Sequence, residues 1–284
     1  MLSRLAGLPS PTSLHPGDER RAGRWTSPSF SRRAQKGHKP SVITSQRSLG
    51  DLSSAIVAEI RNEIRKRARP ENVARIKRFF KEEVEIRGLM SAQIKEVVKL
   101  AHPKVRGDLS LALEVAEDLV ESGVLEEASV GIGLLQRMTR RFTPDLFDVF
   151  DGWVDQLTNW ASTDGLAAGL ISETVRLDLG RVERLLLWTA SGNRWRRRAA
   201  AVSLVPLARR GEMLDEVFRI AERLMIDGDE MVQKGVGWLL KEASRRHPDE
   251  VREFLLRWRD RAPALVLRYA SEKLPKGKRV LKTK

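Results

Sequence analysis

Apolar residues recur every three or four positions along the chain from residue 51 onward, and short stretches of Gly, Pro, Asp or Asn separate the runs. This spacing is that of amphipathic helices with one buried face. The strict alternation of apolar and polar residues that is typical of strands is nearly absent. The pattern predicts an all-α chain with helices near 52–68, 71–82, 91–100, 108–122, 125–141, 144–157, 160–176, 181–190, 194–209, 212–225, 229–246, 248–259 and 262–273.

The helices fall into antiparallel pairs that recur about every 35 to 45 residues, which predicts a HEAT-like helical repeat solenoid. An irregular helical bundle is the alternative. Within the helix at 194–209, the small residues of 199–202 are typical of close helix packing, and Pro206 is expected to end or bend the helix. A solenoid matters for function because its concave face is long enough to lie along an extended partner.

The predicted helix at 229–246 carries a tryptophan away from its apolar face. Its apolar stripe consists of Val232, Val236, Leu239, Leu240 and Ala243. Trp238 projects roughly 145° from that stripe, on the side that also holds Met231, Lys234, Lys241 and Arg245. Each of Gly235 and Gly237 costs about 1 kcal/mol against alanine in a helix interior, so both indicate close approach of a partner. Trp238 either packs on a neighbouring helix or faces a ligand.

Two further stretches place aromatic and charged residues together. In "NRWRRRAAAVSLV", Arg198 borders the face of Trp195, whereas Arg197 points elsewhere. Arg198 either snorkels or forms a salt bridge, or it binds a phosphate or the substrate. In "LTNWASTDGLA", Trp160 and Asp164 are neighbours if Thr158 or Asn159 caps the helix. The alternative for Asp164 is a carboxylate that complements the helix dipole.

Composition excludes several kinds of chemistry. The chain has no cysteine, and its four histidines are far apart in sequence, so we expect no metal and no cofactor. No run approaches 18 apolar residues, so no membrane span is expected.

The formal net charge of +14 is concentrated at the two ends of the chain. Residues 1–50 contribute +7 and residues 273–284 contribute +6, which leaves +1 for the helical part. A nucleic-acid footprint on the folded part therefore requires that basic and acidic residues lie on different faces.

These features predict three parts: a disordered basic N-terminal extension at 1–50, a HEAT-like repeat domain at 51–274 and a basic C-terminal tail at 275–284. The first part is rich in Ser, Pro, Gly and Arg, loosely resembles an organellar transit peptide, and could equally be an unstructured basic arm or an upstream-extended start. It lacks a secretory apolar segment. We expect a cytoplasmic, nucleoid-associated bacterial protein, with organellar targeting as the alternative.

Four motifs resemble DNA alkylation repair enzymes of the AlkD type. "MVQKGVGWLLKEASRRHPDEV" is similar to their C-terminal Gly-Trp helix, "NRWRRRAAAVSL" to their Asn-x-Trp-x-x-Arg-x-Ala helix, and "NWASTD" to their Trp-x-x-x-Asp pair. "RFFKEEVEIRGL" resembles their N-terminal aromatic-Lys segment. All four occur in the order of that family, over roughly residues 55–274.

The resemblance implies a monomeric DNA glycosylase that removes positively charged N3- and N7-alkylated purines from double-stranded DNA. It implies recognition from the backbone side, without a base-flipping pocket. Trp160 and Trp238 would contact the sugar-phosphate of the damaged nucleotide, Asp164 would stand beside its anomeric carbon, and Arg198 would hold the backbone nearby. Further candidate DNA contacts are Lys234, Lys241, Arg197, Arg245, Phe79 and Lys81.

Two positions depart from the family pattern. Phe79 stands where the family often has tyrosine, and Ala161 follows Trp160 where an acid is common. A non-catalytic DNA-binding protein and a protein-interaction scaffold are therefore the alternative functions.

Overall fold

The computed structural model describes the backbone of residues 41–282 and the side chains from residue 49. Fifteen α-helices span that part of the chain: α1 (Ser41–Arg67), α2 (Pro70–Lys77), α3 (Ser91–Val105), α4 (Leu109–Glu121), α5 (Leu125–Gln136), α6 (Leu146–Val154), α7 (Trp160–Leu166), α8 (Ser172–Leu177), α9 (Val182–Trp188), α10 (Arg194–Val202), α11 (Val205–Arg210), α12 (Leu214–Leu224), α13 (Glu230–Ala243), α14 (Pro248–Trp258) and α15 (Ala264–Ala270). No strand forms within this range, where the β-pairing consists of the bridge Glu85–Val124. The all-α prediction is confirmed.

Helices pack on one another in an order that follows the chain. One series runs α3, α5, α7, α10, α13 and α15, each helix contacting the next, and α4, α9 and α12 pack against members of that series. This neighbour-to-neighbour order is the one that the solenoid prediction requires. No helix among residues 41–282 is long and apolar enough to span a bilayer.

Several helix boundaries differ from the sequence prediction. Helix α1 begins at Ser41, ten residues before the predicted domain start. Gly50 lies inside this helix and does not end it, since one glycine in a helix interior costs only about 1 kcal/mol. The predicted disorder of residues 1–40 lies outside the described residues. At the other end, the predicted tail packs on α15: Val280 is buried, and its N–H donates to Ser271 Oγ at 3.1 Å.

Two predicted helices are interrupted. The helix at 194–209 breaks into α10 and α11, and Pro206 lies in the first turn of α11. Proline is tolerated there because backbone N–H groups of a first turn have no helical acceptor. The helix at 160–176 contains a π turn at Ala167–Ile171 between α7 and α8. Gly169 in this turn lies against α5, since a Cβ there would fall 2.1 Å from Gln136 Nε2.

An irregular segment, residues 78–90, connects α2 to α3 and is anchored to α5. The buried carboxylate of Glu126 accepts the backbone N–H groups of Arg87, Gly88 and Leu89 at 2.9, 2.8 and 3.1 Å. Val84 and Ile86 of the same segment pack with Leu125. These contacts fix a segment that has no regular hydrogen bonding of its own.

The two glycines of α13 admit its two neighbours. A Cβ on Gly235 would lie 3.3 Å from Arg198 Cγ in α10, and a Cβ on Gly237 would lie 2.4 Å from Tyr269 Cβ in α15. Both glycines are buried. Their positions are therefore explained by close helix packing on either side of α13.

We predict that Gly237→Ala lowers the free energy of unfolding by about 1–3 kcal/mol, because the added methyl group forces α13 and α15 apart. Gly152→Ala is the matched control: this glycine lies in α6 with nothing within 4 Å of its would-be Cβ, so the higher helix propensity of alanine should stabilise by about 0.5–1 kcal/mol. Urea denaturation of the two variants measures both values. Equal effects would mean that the close contact at Gly237 is absent.

Candidate active site

A cleft of about 340 Å³ opens where α7, α10, α13, α15 and the 78–90 segment meet. It is lined by Phe79, Trp160, Asp164, Arg198, Met231, Lys234, Trp238, Lys241 and Tyr269. The four residues that the sequence proposes as catalytic thus lie around one cleft. Three of the proposed DNA contacts, Phe79, Lys234 and Lys241, lie there with them.

Trp160 is held in place by the cap of α7 and by the 78–90 segment. Asn159 caps the helix, its side chain accepting the N–H of Ser162 at 2.9 Å, as the sequence predicts. The indole Nε1 of Trp160 donates to the carbonyl oxygen of Phe79 at 3.0 Å, and its ring stacks on Phe80 with centroids 5.4 Å apart. The tryptophan therefore has one fixed orientation at the cleft wall.

Asp164 lies one turn further along α7 and forms a bidentate ion pair with Arg198 of α10. Arg198 Nε and Nη2 donate to the two carboxylate oxygens, each at 2.7 Å. Arg198 is only 5% exposed, and its Nη1 donates to the carbonyl oxygen of Met231 in α13. All three nitrogens of the guanidinium are thus engaged by the protein, which is the salt-bridged alternative of the sequence analysis.

The environment of Asp164 has two opposing effects on its ionisation. Burial raises the pKa of the Asp164 carboxyl above its ordinary value, while the hydrogen bonds and charge of Arg198 oppose this shift. Its side chain retains 15% exposure. The carboxylate is therefore stripped of most of its water, yet it still faces the cleft.

Trp238 lies on the cleft side of α13, and it is also partly buried against the main core. Met231, Lys234 and Lys241 share its side of the helix, as the helical spacing predicts. Both alternatives for this tryptophan therefore apply: part of the ring packs on the protein, and part lines the cleft.

Acidic residues neutralise the lysines in and beside the cleft. Glu230 accepts from Lys234 at 2.8 Å and also from Lys81 of the 78–90 segment. These two lysines, Lys234 foremost, lower the pKa of Glu230 to about 2. Lys241 donates to Glu272 at 3.1 Å. Every lysine proposed to contact DNA is paired with a carboxylate when no ligand is present.

Three proposed DNA contacts do not line the cleft: Lys81, which pairs with Glu230 beside it, and Arg197 and Arg245. Arg197 pairs with Asp227 at 2.7 Å and donates to the carbonyl oxygen of Ser191, which holds the loop before α13. Arg245 pairs with Glu242 at 2.8 Å in a separate pocket with Arg209 and Arg246. Helix α13 ends at Ala243, so Arg245 lies beyond the helix. The predicted shared face with Trp238 therefore does not extend to Arg245, which lines a different pocket.

The sequence did not single out two residues that matter to the cleft, one that supports its wall and one that lines it. Phe80 supports Trp160 by stacking, and Tyr269 reaches the cleft from α15, near the end of the chain. Gly237 was a signal for the second, because it indicated close approach of a partner. Nothing in the local sequence around Tyr269 identifies the helix that it meets.

Comparisons with known proteins give a family for the sequence and similar structures for the fold. Residues 60–274 match the family of DNA alkylation repair enzymes. A structure described as a predicted DNA alkylation repair enzyme from Enterococcus faecalis superposes with a TM-score of 0.65 at 20% identity, covering 74% of this chain and 98% of the other. The protein smu.31 from Streptococcus mutans has a TM-score of 0.51 at 20% identity, covering 72% and 98%.

None of the curated proteins matches this chain. At 20% identity the two structures show a shared fold, whereas the family match spans most of the chain and includes all nine residues of the cleft. The chain belongs to the family of DNA alkylation repair enzymes.

Proposed function

We propose that this protein is a monofunctional DNA glycosylase that hydrolyses the N-glycosidic bond of N3- and N7-alkylated purines in double-stranded DNA. The observation that carries the proposal is the carboxylate of Asp164, paired with Arg198 and placed with Trp160 and Trp238 in one open cleft. A non-catalytic DNA-binding role is the alternative, and it predicts binding without base release.

The proposed reaction needs few protein groups. An N3- or N7-alkylated purine is already a cation, so no general acid has to protonate it. As the bond from C1′ to the base breaks, its electron pair neutralises the purine and positive charge develops on the sugar. Water then adds to C1′ and loses a proton, which gives an abasic site and the free base.

Asp164 suits this transition state because a carboxylate stabilises a sugar cation most strongly where water is scarce. The bidentate pair with Arg198 leaves lone pairs on both carboxylate oxygens, and the remaining exposure of Asp164 is toward the cleft. The faces of Trp160 and Trp238 add cation–π stabilisation, worth about 0.5–2 kcal/mol for each ring.

The cleft also suits recognition of a nucleotide from its backbone side. It is open rather than enclosed, and Lys234 and Lys241 line it beside Trp238. Phosphate oxygens can displace the carboxylates of Glu230 and Glu272 from these lysines. A nucleotide can bind in an open cleft through its sugar and phosphate while its base stays outside. This supports recognition without base flipping.

We predict that Asp164→Asn slows release of N7-methylguanine from duplex DNA by about 100-fold or more, because the neutral amide cannot stabilise the sugar cation. Its affinity for a duplex containing a tetrahydrofuran abasic site should change far less. Single-turnover kinetics and fluorescence anisotropy measure the two quantities. The control is Asp145→Asn, whose carboxylate is 91% exposed outside the cleft and should affect neither. Equal losses of rate and affinity in Asp164→Asn would assign Asp164 a structural role.

The excision rate should fall as the pH is lowered, because only the ionised Asp164 is active. Since burial raises the pKa of Asp164, the midpoint should lie above the value of about 3.9 for a free aspartate. A pH–rate profile, corrected for spontaneous depurination without protein, checks this. The residual rate of Asp164→Asn should not show the same inflection. A profile that stays flat down to the ordinary aspartate range contradicts the assignment.

We predict that Glu230→Gln binds duplex DNA about threefold to tenfold more tightly at low salt, because Lys81 and Lys234 no longer have a competing carboxylate. The gain should shrink as salt screens the charges. Glu212→Gln is the control, since it removes an equally exposed acid that pairs with Arg210 outside the cleft. If both variants bind equally well, then general charge and not the lysine pair determines the affinity.

A further inference from the structure

Tyr269 is the one tyrosine of the chain, and it lies in the cleft. It belongs to α15, and it lines the cleft together with Phe79 of the 78–90 segment. Its ring is partly buried, but its hydroxyl makes no hydrogen bond to any described residue. That hydroxyl is also not among the buried unpartnered atoms of the described residues, so solvent reaches it. An ordered phenol with a free, accessible hydroxyl is available to bind a ligand.

Helix α13 makes room for Tyr269 in the same way as for Arg198. Gly235 admits the stem of Arg198 on one side, and Gly237 admits the Cβ of Tyr269 on the other. A glycine inside a helix carries an energetic cost, and at Gly235 and Gly237 the contacts of a would-be Cβ show the close approach that offsets it. Gly235 thus positions Arg198, the partner of Asp164, and Gly237 positions the phenol of Tyr269.

The charges around Tyr269 indicate which kind of ligand group its hydroxyl can bind. Lys241 of α13 pairs with Glu272, which lies just beyond the end of α15 and three residues after Tyr269. Lys234 lines the same cleft. A phosphate that displaces Glu272 from Lys241 therefore arrives beside α15. A phenolic hydroxyl donates well to an anionic oxygen, and such charge-assisted hydrogen bonds are the stronger ones.

We propose that the hydroxyl of Tyr269 donates a hydrogen bond to a phosphate of the damaged strand, next to the lesion. The inference rests on the proposed function and adds a residue that holds the backbone of the nucleotide. Phe79 also lines the cleft and is 68% exposed, but its ring carries no hydrogen-bond donor.

The test combines one substitution with one change in the DNA. Tyr269→Phe removes the hydroxyl and keeps the ring, and because the hydroxyl has no partner in the free protein, the melting temperature should not change. Its affinity for a duplex with a tetrahydrofuran abasic site should fall by about tenfold. When the phosphates on both sides of that site are replaced by methylphosphonates, Tyr269→Phe and the unaltered protein should bind alike.

Two results would overturn the proposal. One is equal affinity of the two proteins for the unmodified abasic duplex. The other is a loss that persists in full on the methylphosphonate duplex, which would mean that the hydroxyl does not act on those phosphates. Base release is measured separately, on the unaltered protein with N7-methylguanine DNA. A protein that binds the abasic duplex but releases no base would refute the glycosylase proposal and leave the test of Tyr269 intact.

Discussion

The pairing of Asp164 with Arg198 is the interaction on which the cleft depends. It joins α7 to α10, and the third nitrogen of Arg198 joins α10 to the first turn of α13 through the carbonyl of Met231. A buried guanidinium without an acid, or a buried acid without a cation, is strongly unfavourable. The three helices are therefore held in one arrangement by the same charges that define the chemistry of the cleft.

Charge in this protein is largely paired within the folded part. The net charge of +14 suggests a broad basic surface, yet Lys81, Lys234 and Lys241 are each neutralised by a carboxylate in the absence of a ligand. Exposed pairs of this kind contribute little to stability, with a median of about 0–1 kcal/mol. An anionic ligand of these lysines has to displace the carboxylates first, and salt screens both interactions.

Local sequence was sufficient for the parts of the site that lie on one helix. The spacing of four residues put Trp160 and Asp164 on the same side of α7, and Asn159 was recognisable as the cap. The heptad-like spacing in α13 placed Met231, Lys234, Trp238 and Lys241 together. What local sequence could not provide was pairing across the fold: Lys81 and Glu230 are 149 residues apart, and Tyr269 reaches the cleft through a contact with Gly237 in another helix. Nor does helical periodicity reveal a π turn or the true start of α1.

The π turn at Ala167–Ile171 separates the residues before it from those after it. A π turn holds one more residue than an α turn, and a change of one residue rotates a helix by about 100°. The π turn takes up its extra residue locally, so the residues after it are not rotated. Asp164, which lies before the turn, keeps its position relative to Arg198. Helices α7 and α8 on either side of the turn therefore keep separate registers.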